Sequence, residues 1–273
     1  MRQLELREIQ LKNLDLIKEF DALCREHEID YRISGGTLLG AIRHKGFIPW
    51  DDDIDVMMLR EEYDKLLNLK EKLDLPANRE LISLKDKTFP RNFARYVRTD
   101  LVKHENMFEE DDCPWIGVDI FPVDFVPNDK RYEKQVNQVV FLRKLLLTVV
   151  TKKGTGKTKG KTIIKDVMRP FAKMMGSFRL AQKMENIERR YNGIEKEYVA
   201  SIAGVYIKGE RWKYEDFLPS TEVEFENYKL KAPANYVTYL TNMFGDYMQL
   251  PPEDKRKYST ANVYEIEQGE END

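Results

Sequence analysis

Between Tyr31 and Met58 the chain reads YRISGGTLLGAIRHKGFIPWDDDIDVMM, and the acidic run near its end restricts the fold more than any other stretch. Asp51, Asp53 and Asp55 alternate with residues of the opposite face. That is strand spacing, in which side chains two apart point the same way and lie roughly 6.6 Å apart. Ile54 and Val56 would face a core. Like charges side by side on a half-buried strand repel one another, so Asp53 and Asp55 point to a hard cation with oxygen ligands, Mg²⁺ above all. For an arbitrary Asp-X-Asp, a solvated acidic turn after Pro49 is the default reading, and here the preceding segment reverses it. Ser34-Gly35-Gly36 lets the backbone turn tightly and approach a ligand closely. Thr37 to Arg43 reads as a short helix whose first amides suit a phosphate, and Gly46 is placed to end it. Gly35, Gly36 and Thr37 are therefore candidates for binding a phosphate, with Arg43, His44 and Lys45 close enough in sequence to supply positive charge. His44 equally suits a helix end and is given no acid-base role.

The flanking segments alternate helix and strand, the pattern of an α/β chain. Leu4 to His27 has the apolar spacing of one or two amphipathic helices, and Arg60 to Leu73 repeats it until Pro76. Leu81 to Leu84 and Phe93 to Arg98 read as strands. Arg95 and Arg98 fall on opposite faces of the second, so one of them at most points to the carboxylates; Arg98 is the candidate, against the reading of two ordinary surface arginines. Val118-Asp119-Ile120-Phe121 puts one carboxylate inside an apolar strand, where a charge needs a partner such as a metal. Asp119 is the candidate third ligand. Asp124, beyond Pro122, reads as a turn or cap residue.

Asn128 or Asp129 can cap a helix from Lys130 to Val150. The next segment, Thr151 to Thr162, has five lysines, three glycines and no apolar residue, which predicts a mobile loop. It is not a phosphate loop, because Thr151 stands where the first glycine of GxxxxGK[ST] belongs. A solvated connector and a basic finger, Lys152 to Lys161, attracted to anionic lipid heads are the two readings that remain. Ile163 to Tyr191 is helical in spacing, with Pro170 expected to bend it. An apolar surface there, beside the basic loop, would suit a lipid-linked substrate. Val199 to Ile207 reads as a strand, Glu222 to Phe225 with Tyr228 to Leu230 as a hairpin, and Ala234 to Met243 as a helix. Gly245-Asp246 and Pro251-Pro252 then hold Tyr247 in a rigid loop, and Glu265 to Asp273 is an acidic tail expected to be disordered.

Charge narrows the partners. With 45 basic and 48 acidic residues the net charge is -3, which argues against a nucleic-acid binder, whose affinity rests on a large basic surface. Cys24 and Cys113 supply neither a disulfide framework nor a zinc cluster and fit a reducing compartment. Met1 to Lys12 lacks the apolar core of a signal peptide, and no run approaches the roughly 20 apolar residues of a membrane span. The expectation is a cytoplasmic protein, at most peripheral at the inner face of the membrane. The expected division is a catalytic core over 1–128, a helical insertion with its basic loop over 129–192, and a part over 193–273 that completes the cleft.

Three stretches, SGGTLLGAIRHKGFIPWDDDIDV from Ser34, GVDIFPVDFVP from Gly117 and FGDYMQLPPEDKR from Phe244, together resemble the LicD family of phosphocholine transferases, which share the nucleotidyltransferase fold. The matches span Ser34 to Arg256. The resemblance implies a mixed nucleotidyltransferase-like β-sheet with flanking helices, in which Asp53, Asp55 and Asp119 hold one or two Mg²⁺ ions. It also implies that Asp246 and Tyr247 border the active site. The implied donor is CDP-choline and the acceptor a sugar hydroxyl on a glycan or lipid-linked oligosaccharide, a teichoic acid or lipopolysaccharide precursor of the bacterial cell surface. A quaternary ammonium is best held by aromatic faces; Trp50, Phe121, Phe244 and Tyr247 lie in the matching stretches and Trp115 just before the second, and these five are the candidates, Trp50 foremost. The alternatives are transfer of ribitol or glycerol phosphate or of a nucleotidyl group, and a non-catalytic binding subunit, against which the intact set of carboxylates stands.

Overall fold

A sheet strand that carries carboxylates at its entrance and apolar residues along its length must bury one without burying the other, and the order of elements achieves this. A computed structural model describes residues 1–104, 108, 113–155, 158–204, 210–256 and 262–266. The first half of the chain forms β1 (Arg2–Gln3), α1 (Leu6–Glu26), β2 (Arg32–Ile33), α2 (Gly35–His44), β3 (Ile54–Leu59), α3 (Arg60–Leu69), β4 (Arg79–Ile82), β5 (Ala94–His104) and β6 (Trp115–Val126). The second half forms α4 (Lys130–Val150), α5 (Lys159–Met175), α6 (Ser177–Glu188), β7 (Tyr198–Ala200), β8 (Arg211–Lys213), α7 (Tyr214–Phe217), β9 (Ser220–Phe225), β10 (Tyr228–Pro233), α8 (Tyr236–Phe244) and β11 (Asn262–Glu265).

The class is mixed α/β. Among the described residues one nine-stranded sheet runs β1-β11-β5-β6-β3-β2, with β4 beside β5 and β7-β8 extending from the far end of β6; β9 and β10 form a separate hairpin. β3 lies parallel to β6 with Asp55 opposite Asp119, while β5 lies antiparallel to β6 with Arg95 opposite the same Asp119. One cross-strand row therefore carries Asp55, Asp119 and Arg95. The main core forms where α1, α2 and α3 cover the sheet, through Ile17, Phe20, Leu38, Ile54, Val56, Tyr63 and Ile120, all almost fully buried. No helix of the described residues is long and apolar enough to cross a membrane.

Several expected boundaries move. α2 begins at Gly35 rather than Thr37, and β3 begins at Ile54, so Asp53 stands at the strand's entrance. α4 runs as expected from Lys130 to Val150, capped by the Asp129 carboxylate accepting from the Arg131 amide. The basic loop is shorter than its composition suggests. Thr158 caps α5, so Lys159 and Lys161 are helical, while Lys157 lies outside the described residues. Pro170 sits within α5, and the helical stretch expected from Ile163 to Tyr191 is interrupted at Gly176, whose φ of +78° suits glycine. Of the strand expected over Val199 to Ile207, β7 covers only its start, and residues 205–207 lie outside the described residues.

Asp124 is neither a turn nor a cap. It lies within β6, 2% exposed, and accepts two bonds from Arg60, Nε to Oδ1 at 2.8 Å and Nη2 to Oδ2 at 2.6 Å. β6 continues past Pro122 to pair with β7, which places Asp124 inside the strand.

Candidate active site

The acidic run is held from behind by two buried amides on α1. Gln10 Nε2 donates to the Asp51 carbonyl at 2.9 Å and Asn13 Nδ2 to the Asp52 carbonyl at 2.6 Å, so the run cannot collapse as a free turn would. Asp52 turns away, its carboxylate 4.0 Å from Lys103 Nζ. Asp51, Asp53 and Asp55 instead line one cavity of about 900 Å³, together with Gly36, Arg43, Trp50, Phe244, Asp246, Tyr247 and Arg256. Residues more than 180 positions apart in sequence thus meet at one cleft, with α8 and the segment after it forming the far wall.

The glycine pair has a definite steric task. Gly35 has a φ of +52°, and a Cβ there would lie 3.0 Å from Asp55 Oδ2; a Cβ on Gly36 would lie 2.8 Å from Asp51 Oδ2. The carboxylates therefore sit against the positive end of α2, which favours their charged form. Burial, then repulsion from Asp51, Asp52 and Asp119, pushes Asp53 well above the usual carboxylate range. Because Asp53 still reaches solvent in the cleft, repulsion is the cause that dominates. Asp55 is raised by burial and then by Asp53, Asp119 and Asp51, and Asp51 chiefly by burial.

The other expected residues divide. Arg98 is corrected: it binds Asp100, Nη2 to Oδ2 at 2.7 Å, on the face of β5 away from the cleft. Arg95 takes the expected place, with Nε donating to Asp119 Oδ1 at 2.5 Å and Nη1 to Cys113 Sγ at 3.0 Å. Burial opposes the Arg95 charge, and Asp119 with Cys113 more than offsets it. Thr37 is buried, and its hydroxyl accepts from the Asp55 amide at 2.9 Å, tying α2 to β3 rather than opening to a ligand. Arg43 lines the cleft but spends Nη1 on the Tyr247 carbonyl at 2.9 Å, which pins the far wall. His44 accepts from Arg43 Nε at 2.9 Å and meets Trp50 edge-on, behind the cavity lining; burial and then Arg43 lower its pKa. Lys45 is an exposed left-handed cap of α2, with φ +59°. Of the expected aromatics, Trp50, Phe244 and Tyr247 line the cavity, while Phe121 packs on Phe93 with ring centres 4.8 Å apart.

Two residues that brace the Gly35 turn give no local sequence signal. Tyr239 on α8 accepts from the Gly35 amide at 2.9 Å and donates to Glu210 Oε1 at 3.4 Å. Glu210 is raised to about 7 by burial. Tyr239→Phe removes the acceptor for Gly35 and one partner of a buried carboxylate, so it is expected to lower unfolding stability by about 1 to 3 kcal/mol, read by urea denaturation. An unchanged midpoint would mean that the Gly35 turn stands without this tie.

Among the described residues, no three His, Cys, Asp or Glu side chains already stand together at metal-ligand spacing. The donor chemistry nevertheless fits Mg²⁺: Asp51, Asp53 and Asp55 are all-oxygen groups in one cavity whose mutual repulsion a divalent cation would relieve.

Comparison with known proteins places this geometry. The family description LicD/FKTN/FKRP, nucleotidyltransferase domain, matches residues 28–146, which contain α2, the acidic run and the Asp55-Asp119-Arg95 row. The chain is 31% identical over 267 residues to the lipopolysaccharide cholinephosphotransferase LicD of Haemophilus influenzae, covering 94% of this chain and 96% of that one. Uncharacterized proteins RP689 of Rickettsia prowazekii and RT0683 of Rickettsia typhi are each 47% identical over 47 residues, 17% of this chain and 18% and 15% of theirs. The class is that of a transferase on a mixed α/β sheet. The chain belongs to the LicD family.

Proposed function

We propose that this protein transfers phosphocholine from CDP-choline to a sugar hydroxyl of a bacterial surface polysaccharide, a lipopolysaccharide or teichoic acid precursor, with Mg²⁺. The observation that carries the reading is the meeting of Asp51, Asp53 and Asp55 with Trp50, Phe244 and Tyr247 in one cavity. The end-to-end likeness to a lipopolysaccharide cholinephosphotransferase supports it.

Asp53 and Asp55, with Asp51 or Asp119 beside them, would hold the cation. Bound there, Mg²⁺ would neutralise the donor's diphosphate and lower the pKa of the acceptor hydroxyl. Arg43 and Arg256 line the same cavity and would face the diphosphate. The Gly35-Gly36 turn leaves room for the carboxylates, and Arg95 orients Asp119. Trp50 already carries a cation on its face, the Arg256 guanidinium 4.9 Å from the ring centre. Choline would take such a face in the same manner.

The test is incubation of the purified protein with Mg²⁺, CDP-choline and lipopolysaccharide lacking phosphocholine, with the glycan mass and released CMP measured. A glycan heavier by one phosphocholine, with CMP in equal amount, supports the reading; neither product overturns it. Trp50→Ala is expected to weaken CDP-choline roughly 2- to 30-fold while leaving CDP-glycerol, which has no cation, nearly unchanged. Equal weakening of both donors, read by calorimetric titration, would make Trp50 a packing residue and favour a different alcohol phosphate.

A further inference from the structure

α5 is a helix with two opposed faces, only one of which the protein uses. Arg169 and Ala172 are buried, Arg169 donating from Nη1 to the Thr151 carbonyl at 2.6 Å, and this side packs on α4. On the other side Ile163, Ile164, Val167 and Met174 are 63%, 67%, 71% and 73% exposed, with Phe171 among them at 47%. At 100° per residue these five fall within one quarter-turn or so of the helix surface. Soluble proteins rarely leave such an apolar stripe open to water.

The charges around it are one-sided. Between Lys152 and Met175 there are eight basic residues and one acidic residue, Asp166, in a chain whose net charge is -3. Asp166 is itself within 3.4 Å of Arg169 Nη2. Helical geometry puts Lys159 and Lys173 along one edge of the stripe and Lys161 along the other, all three exposed, and exposed Lys152 and Lys153 precede the helix. An apolar stripe bordered by lysines is the arrangement of a helix lying in the plane of a bilayer, side chains among the acyl chains and ammonium groups at the anionic head groups.

We propose that α5 docks this protein on an anionic phospholipid bilayer, through Ile163, Ile164, Val167, Phe171 and Met174 with the flanking lysines. The inference extends the membrane contact expected of the basic loop to the helix that follows it, and the apolar stripe rather than the loop supplies the insertion. It does not depend on which donor or acceptor the cleft takes. A second copy of the chain is a poorer occupant, since two such stripes would bring two sets of lysines together.

The test is flotation of the full chain with vesicles of phosphatidylcholine alone and of phosphatidylcholine with an equal part of phosphatidylglycerol. The protein is expected to float with the anionic vesicles and to remain below the neutral ones. Val167→Asn with Ile164→Asn, both at exposed positions, is expected to weaken partitioning at least about tenfold. Replacing Lys152, Lys153, Lys159 and Lys161 by glutamine should weaken it roughly fivefold per lysine at low salt. Circular dichroism and transfer activity on a soluble acceptor should stay unchanged in both variants. Failure of the wild-type chain to float, or equal flotation of the Val167→Asn/Ile164→Asn variant, would overturn the proposal. So would a wild-type dimer in sedimentation equilibrium that this variant abolishes while vesicle binding is absent.

Discussion

Asp53→Asn, or Asp55→Asn, is expected to reduce transfer by at least about a thousandfold while the protein stays folded. Each substitution removes one charged oxygen from the group that would hold the cation, and the remaining carboxylates lack the charge to replace it. The fold should gain stability. Both carboxyls are pushed above their ordinary range by burial and by neighbouring carboxylates, Asp51 and Asp119 acting on each. A carboxyl raised in the folded state contributes most where it is protonated, below its unfolded pKa, and loses that contribution as pH rises through its folded pKa. Above the ordinary carboxylate range the two carboxyls therefore cost the native state stability, and an amide relieves that cost. Thermal unfolding in metal-free buffer should show both variants more stable than wild type above the usual carboxylate range, and equal to it at lower pH. Near-normal turnover of either variant at saturating Mg²⁺ would remove these two residues from the reaction.

Arg60→Met is expected to have the largest effect on stability, a loss of about 3 to 5 kcal/mol in urea unfolding. Arg60 is buried, and its two bonds to the buried Asp124 are joined by an approach of 3.6 Å to Glu188 Oε2. Asn192 Nδ2 also donates to Asp124 Oδ1, at 2.5 Å, and Asn92 Nδ2 donates to Glu188 Oε1. Removing the guanidinium leaves Asp124 away from water without the charge that pairs it, and leaves Glu188 with only the more distant pull of Arg143. Glu188 is raised to about 8, first by burial, with Arg60 pulling the other way. Since its folded pKa lies above the unfolded one, its contribution is complete below the ordinary glutamate range and fades as pH rises toward 8. Because Arg60 pulls Glu188 down, its removal raises that carboxyl further, so the deficit of Arg60→Met should be greater at and above about pH 8 than at about pH 5. Adding Asp124→Leu should recover part of it, because an apolar replacement removes a buried charge that has lost its counter-charge. A loss below about 1 kcal/mol at both pH values would mean that water reaches the cluster.

The elements that were legible in the sequence are those set by local rules. α4 matches its expected ends because Asp129 caps it and a continuous apolar stripe runs to Val150. The hairpin of β9 and β10 and the strand after Asp53 follow from alternation over a few residues. Elements whose ends depend on distant pairing were not legible. β6 continues through Pro122 because β7 pairs with it 70 or more residues later in the chain.

The site divides in the same way. Asp53, Asp55, Gly36, Arg43 and Trp50 lie in one local stretch, and all line the cavity. Asp246 and Tyr247 could be joined to them only through the family resemblance, because 190 or more residues separate them from Asp55. Arg95 and Arg98 were distinguishable as opposite faces, yet which face meets Asp119 is decided by the register of β5 on β6. Thr37 shows a related limit. A hydroxyl at a helix start suits a phosphate or a neighbouring strand equally, and here the Asp55 amide takes it. Tyr239 and Glu210 carry no pattern at all, since their meaning arises only when α8 packs against the Gly35 turn.

The central claim is that the carboxylates of the cleft bind the donor through Mg²⁺. Calorimetric titration of CDP-choline into the wild-type protein with Mg²⁺, with a chelator in its place, and into Asp53→Asn with Mg²⁺ tests it most directly. The account predicts saturable binding in the first case and little or none in the other two. Equal affinity in all three would contradict it.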